Sequence, residues 1–220
     1  MPAGTLTPEA RWIAWLRTTP DARVALRAFS PHYFYFSYRQ VVAFTALFRQ
    51  VDALDRESLA MLADVLHEEL GRGIPERVHS RLFERFAAAL NLRRDDLLLE
   101  PAEVLPGVRA YAGELERAFT AGSLPEALAT YVFLESSAVD TYGPLVATLE
   151  TLGFSADDVE FFALHAGVEP EHAAAADAML CRHGLDANHP AVRSQLERLA
   201  GFWHAFWTEI DEECRRAIAR

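Results

Sequence analysis

Apolar residues recur at three- and four-residue spacing through segments near 8–18, 21–51, 55–71, 75–90, 107–120, 124–152, 157–184 and 190–218. That is the period of helices that bury one face. Alternating β-branched runs, the mark of half-buried strands, are missing, and Ala, Leu, Glu and Arg dominate. The pattern predicts an all-α helical bundle of about seven to eight helices. Its breaks are well marked. Ser30-Pro31 interrupts the first long apolar segment, Gly71 and Gly73 with Pro75 separate the third and fourth, and Gly153 closes the sixth. Ser155 and Asp158 have the spacing of a capping box opening the seventh, and Asn188-His189-Pro190 starts the last. Segment 29–51 is apolar and aromatic on most faces, which predicts a central, buried helix. No linker rich in Gly, Ser or Pro divides the chain and no internal repeat is visible, so residues 1–220 are read as a single domain.

Composition narrows the function classes. With 51% hydrophobic and 24% charged residues the chain can fill a core. A net charge of −11 and a pI near 5.2 argue against a nucleic-acid groove or an anionic membrane surface. No basic run of five or more residues appears. Met1 to Pro8 has neither a basic n-region nor an apolar h-region, and no apolar stretch reaches the roughly 18 residues of a membrane span. Cys181 and Cys214 are too few for a disulfide framework. The expectation is a reduced, cytoplasmic protein with neither nucleic acid nor membrane as partner.

The sharpest local signal is His165-x3-Glu169-x2-His172. On a helix, positions i, i+4 and i+7 share a face, so two imidazoles and a carboxylate are expected to point into one volume. Chance at this composition gives roughly 0.04 such triplets per chain. A solvated face with unrelated histidines is the bland alternative, but Phe161, Phe162, Ala166, Ala173 and Ala176 flank the triplet. Pro170 removes a backbone donor within it and predicts a local kink or π-bulge. A second signal runs from Glu69 through Gly71 and Gly73 to His79, placing a carboxylate before a glycine break and a histidine one turn inside the next helix. Glu76, at i−3 from His79, competes with Glu69 for that role, and His67 lies nearby. Third, Glu135 sits among apolar and small residues, where an isolated carboxylate is costly unless paired or metal-bound. Three carboxylates and three histidines on separate helices suit two iron or manganese ions with open positions for O2 and substrate.

At this point the chain resembles the haem-oxygenase-like diiron oxidases, also called the iron-containing redox enzyme family. Their pattern is similar to Glu69-Leu70-Gly71-Arg72-Gly73 followed by His79, then a lone Glu135, then His165, Glu169 and His172. The run His79 to Phe83 also looks like the family, and the likeness extends from about residue 25 to about residue 215. The resemblance implies a haem-oxygenase-like fold and two Fe ions, loaded as Fe(II), on Glu69, His79, Glu135, His165, Glu169 and His172, with O2 as cosubstrate. It implies a non-haem diiron oxidase acting on a small carboxylate substrate, most simply an aliphatic amino acid. C–H abstraction would lead to desaturation, C–C cleavage or cyclisation, in natural-product biosynthesis. Glu169 stands where Asp is more usual. The N-oxygenating members carry an extra carboxylate on the early core helix, and segment 22–51 has no acid, so that reaction is not expected.

Two rivals share these residues. A ferritin-like bundle wants two Glu-x-x-His pairs plus two single glutamates; Glu76-x-x-His79 and Glu169-x-x-His172 fit, but the first long helix lacks an acid and His165 is unexplained. A metal-free haem-oxygenase-like or thiaminase-like protein would rely on His32 as an axial ligand, or on a reactive cysteine for which neither Cys181 nor Cys214 has an activating context. Around the site, Tyr131 and Tyr142 lie at i−4 and i+7 from Glu135 and are expected to line a substrate pocket. Arg39, Arg49 and Arg182 are candidates to pair a substrate carboxylate. Trp203, Phe206 and Trp207 read as core or as the interface of a homodimer, with His204 structural.

Overall fold

The computed structural model describes residues 6–220. Met1–Thr5, the start of the segment read as free of a signal sequence, lie outside the described residues. Nine α-helices follow in order, with no strand among the described residues: α1 Pro8–Leu16, α2 Ala22–Phe44, α3 Arg56–Glu69, α4 His79–Ala89, α5 Arg94–Leu97, α6 Pro106–Ala121, α7 Leu124–Thr151, α8 Glu160–Arg182 and α9 Pro190–Ala219. Eight correspond to the segments read from periodicity. The extra one, α5, is a single turn, too short to carry a helical period.

The local chemistry explains most boundaries. Thr7 caps α1, accepting from the Ala10 N–H, and the Asp55 side chain accepts from the Ser58 N–H at 3.1 Å to open α3. Ser123 and Glu126 close a capping box on α7. The Ser155–Asp158 box forms as expected, with the Ser155 N–H donating to Asp158 at 2.9 Å, on a turn that leads into α8.

Four breaks or boundaries differ from the sequence expectation. Ser30-Pro31 does not interrupt α2, which runs on through Pro31. The proline forfeits one ladder bond, while the buried Ser30 hydroxyl donates to the Leu26 carbonyl at 2.6 Å. Aromatic packing of Phe29 against Trp12, Tyr33 and Trp207 holds the helix on both sides of the proline. The segment stops being α-helical at Phe44, and Thr45–Arg49 tightens into a 3-10 turn. Likewise Pro75–Arg77 is a 3-10 turn, so His79 begins α4 rather than lying one turn inside it. Finally, α8 is one α-helix through Pro170, so of the two expected distortions the π-bulge does not form.

As expected, α2 is central, packed against α6 and α9, while α7 lies along α8 for most of its length. Phe206 and Trp207 are fully buried in this core, and His204 is exposed. No helix among the described residues is long and apolar enough to cross a membrane.

Candidate metal centre

The chain reversal between α3 and α4 builds one side of the site. Gly71, Arg72 and Gly73 have φ of 70°, 54° and 79°, three consecutive left-handed residues. A side chain at Gly71 is doubly excluded. Its Cβ would lie 2.5 Å from both the Arg77 carbonyl carbon and the Val78 nitrogen, and its φ favours glycine. This tight turn brings the last residue of α3, Glu69, back against the first residue of α4, His79, with Oε2 2.9 Å from Nδ1. Glu76 lies on the turn and is exposed, and it is Glu69 that the turn sets against His79.

Helix α8 supplies the other side. The His165 Nδ1 lies 2.6 Å from the Phe161 carbonyl one turn earlier, which fixes Nδ1 as the protonated nitrogen. Its other ring nitrogen, Nε2, faces Glu69 Oε1 at 3.5 Å. The His79 and His165 rings stand 4.5 Å apart. Further along, Glu169 and His172 meet Glu135 of α7, whose Oε2 is 3.6 Å from His172 Nδ1.

The six residues thus fall into two groups, Glu69–His79–His165 and Glu135–Glu169–His172, with the donor atoms of each group within 4.8 Å of one another. The single-volume expectation for His165, Glu169 and His172 is corrected here. Four residues along a helix advance about 6 Å, enough to hand His165 to one group and the other two to the next.

These donors fit metal ions better than they fit one another. Both ring nitrogens of His79 and Oε2 of Glu169 are buried without a hydrogen-bond partner, since the 2.9 Å approach of Glu69 to His79 lacks hydrogen-bond alignment. Burial, with the negative charges of Glu135 and Glu69 beside it, pushes the Glu169 carboxyl well above the usual carboxylate range. Burial also acts to raise Glu69, but His79 and His165 outweigh it and hold that carboxyl well below the usual range. Burial acts to lower the His172 imidazole, and the adjoining Glu135 carboxylate reverses this and raises it. A cation in each group relieves the crowding of acids and satisfies the orphaned atoms. Carboxylate oxygens and imidazole nitrogens suit iron among other first-row ions.

A narrow pocket leads to this centre. Its lining includes all three site glutamates, Glu69, Glu135 and Glu169, and none of the three histidines. Tyr142 lines it as expected, its hydroxyl 2.7 Å from that of Tyr33 and its ring on His165 at 4.8 Å. Tyr131 is not among the lining residues; it packs behind Phe44 with its hydroxyl buried and unpartnered. The arginines also depart from expectation. Arg39 pairs with Glu116 at 3.0 Å on the surface, and Arg182 pairs with Asp55 and Glu57 beyond the site. Arg49 is likewise not among the lining residues. All 21 basic residues are arginines, and none lines the pocket.

Polar pocket residues that the sequence reading passed over are Tyr33, Gln40, Ser137 and Thr141. Gln40 and Tyr33 are seven residues apart, two turns, on one face of α2. That spacing was their one signal. His32 is not at the pocket; its Nδ1 accepts the Leu105 N–H at 3.4 Å. Neither cysteine lines the pocket. Cys181 is exposed, and burial pushes the Cys214 thiol up to about 12.

Residues 27–207 match the iron-containing redox enzymes, and the chain belongs to that family. The fold is haem-oxygenase-like and shared at low identity with solved structures. A domain of unknown function from Shewanella denitrificans OS217, described as having a heme oxygenase-like fold, superposes with a TM-score of 0.72 at 16% identity, over 92% of this chain and 84% of that one. A TenA homologue from Pseudomonas syringae pv. tomato DC3000 gives 0.73 at 15%, over 95% and 88%. A CADD-like protein of unknown function from Nostoc punctiforme PCC 73102 gives 0.73 at 15%, over 94% and 87%. No curated protein matches the chain.

Proposed function

We propose that this protein is a non-haem diiron oxidase that uses O2 to remove hydrogen from an aliphatic carbon of a small substrate, an aliphatic amino acid being the simplest. The carrying observation is the division of six buried or half-buried donors into two three-residue groups whose glutamates line one pocket. Glu69, His79 and His165 would hold one ion, and Glu135, Glu169 and His172 the other. Bound iron supplies the reduction of O2 and the oxidant for the C–H bond, from which desaturation, C–C cleavage or ring closure follows.

The rest is done by the chain. The Phe161 carbonyl orients His165 and fixes its tautomer. The buried Tyr33–Tyr142 hydroxyl pair closes the inner wall beside the site. Phe36, Phe44, Val65 and Leu134 exclude water from the pocket and pack an aliphatic chain. With α2 presenting Tyr33, Phe36, Gln40 and Phe44 to the pocket, that helix adds no carboxylate to the centre, which favours carbon over nitrogen as the site of oxidation.

Two of the structural relatives are TenA homologues, and a thiaminase-like reaction is the alternative. It needs a nucleophile at the pocket. The exposed Cys181 and the buried Cys214, whose Sγ donates to the Ala25 carbonyl at 3.3 Å, are both elsewhere. Glu169→Ala and His172→Ala variants are expected to fold while losing the iron-dependent O2 reaction, measured as O2 consumption after anaerobic Fe(II) loading. Unchanged turnover in either variant defeats the assignment.

A further inference from the structure

Two hydroxyls in the pocket wall are one-sided in their hydrogen bonding. Thr141 Oγ1 donates to the Ser137 carbonyl at 2.8 Å, and Ser137 Oγ donates to the Leu134 carbonyl at 3.0 Å. With their protons committed to the helix, both hydroxyls present lone pairs alone to a ligand. Gln40 of α2 lines the same pocket, and its Oε1 is buried with no hydrogen-bond partner. The charged groups on the wall are glutamates, without an arginine among the lining residues and without a lysine anywhere in the sequence.

Such a wall matches a group with protons to give. An ammonium has three N–H donors and no acceptor, so three acceptors satisfy it and none is left orphaned. A carboxylate set against these three oxygens would meet their lone pairs, with no arginine or lysine beside it. Phe36, Val41, Phe44, Val65 and Leu134 surround these polar atoms with apolar surface that suits an unbranched alkyl chain.

We propose that Gln40, Ser137 and Thr141 form an ammonium subsite, so that the substrate is a primary amine on an aliphatic chain, recognised through its nitrogen rather than through a carboxylate. The assignment rests on the diiron reading, which makes this pocket the place of the substrate. It names three specificity-determining residues that are not metal ligands.

Norleucine and hexanoate provide the test, because they share chain length and carboxylate and differ in the α-amino group. Binding to anaerobic, Fe(II)-loaded protein is followed by tryptophan fluorescence, Trp203 being part of the pocket wall. Without O2 there is no turnover, so the readout is affinity alone. Norleucine is expected to bind at least about tenfold more tightly than hexanoate, the scale of one or more charge-assisted hydrogen bonds. In the Gln40→Leu/Thr141→Val double variant norleucine should fall to the affinity of hexanoate, with hexanoate itself unchanged. Gln40→Leu alone, a milder change at a half-buried position, should remove part of the preference. Equal binding of the two ligands by wild type, or equal weakening of both by the variants, overturns the subsite. Iron per chain, measured on the same samples, keeps the two claims apart. About two irons with no amine preference refutes the subsite alone, and an amine preference without bound iron refutes the diiron reading alone.

Discussion

The two donor groups use the same residue types but are held in different ways. Glu69 and His79 are fixed by a three-residue left-handed turn that only glycine at position 71 permits, and His165 is locked by a carbonyl on its own helix. Glu135, Glu169 and His172 come from two neighbouring helices, with Pro170 between the latter two, and no hydrogen bond to the backbone orients any of their side chains. Two carboxylates crowd each other there, one of them pushed well above its usual range by burial and by its partner's charge. The first group is organised before any ion arrives. On the diiron reading the second would depend on the ion for its organisation, and two of its three members, Glu135 and Glu169, face the pocket. Preorganisation favours affinity, whereas a looser, carboxylate-rich group can open positions to O2 and substrate.

The largest effect is expected at the turn. Gly71→Ala should destabilise the protein by about 2 kcal/mol or more, because the Cβ meets backbone at 2.5 Å and φ is left-handed. It should also abolish metal binding by the first group. Gly73→Ala has the same φ penalty but nothing within 4 Å of its Cβ, so about 1 kcal/mol is expected. Urea denaturation of both variants checks the contrast, and equal midpoints would remove the special role given to the reversal.

Next in size is the metal asymmetry. After Fe(II) loading and desalting, His172→Ala should keep about one iron per chain and His79→Ala less than half of that, measured by a colorimetric iron assay. The reverse order would invert the comparison between the groups.

Away from the centre, a smaller effect follows from pH. Burial acts to raise the Glu114 carboxyl, but hydrogen bonds from Arg117 and Gln195 outweigh it and hold it below the ordinary value. Glu126 is lowered by the Ser123 N–H and hydroxyl. A carboxyl with a depressed folded value stabilises the fold above its unfolded value, near 4.5, and loses that contribution as pH falls through the folded one. The contribution of these two carboxyls should therefore hold level above that point and decline below it, so the acid-side fall in thermal stability should be less steep in Glu114→Gln. The smallest effect is chemical: a thiol reagent at neutral pH should modify the exposed Cys181 and leave Cys214 untouched, as mass spectrometry can show.

Much of this was legible in the sequence, for identifiable reasons. Helix positions follow from apolar periodicity, which packing respects, and from the Ser155–Asp158 capping box. Pro31 misled because local propensity predicts a break where tertiary packing of Phe29 and Tyr33 sustains the helix. The choice of Glu69 over Glu76 was not readable, since it turns on three backbone angles in one loop. Nor was the division of His165 from Glu169 and His172, which depends on where the neighbouring helices bring their carboxylates. The arginines were misplaced for a simpler cause. Arg39 and Arg182 have acidic neighbours on the surface, and spacing along one helix says nothing about partners on another.

The central claim is two irons per chain, one in each group. Anaerobic Fe(II) titration of the metal-free protein, with iron counted after desalting, tests it most directly. The account predicts about two irons in wild type and fewer than two in Glu135→Ala, with helical content unchanged by circular dichroism. Saturation with no iron, or a stoichiometry that Glu135→Ala leaves unaltered, would contradict it.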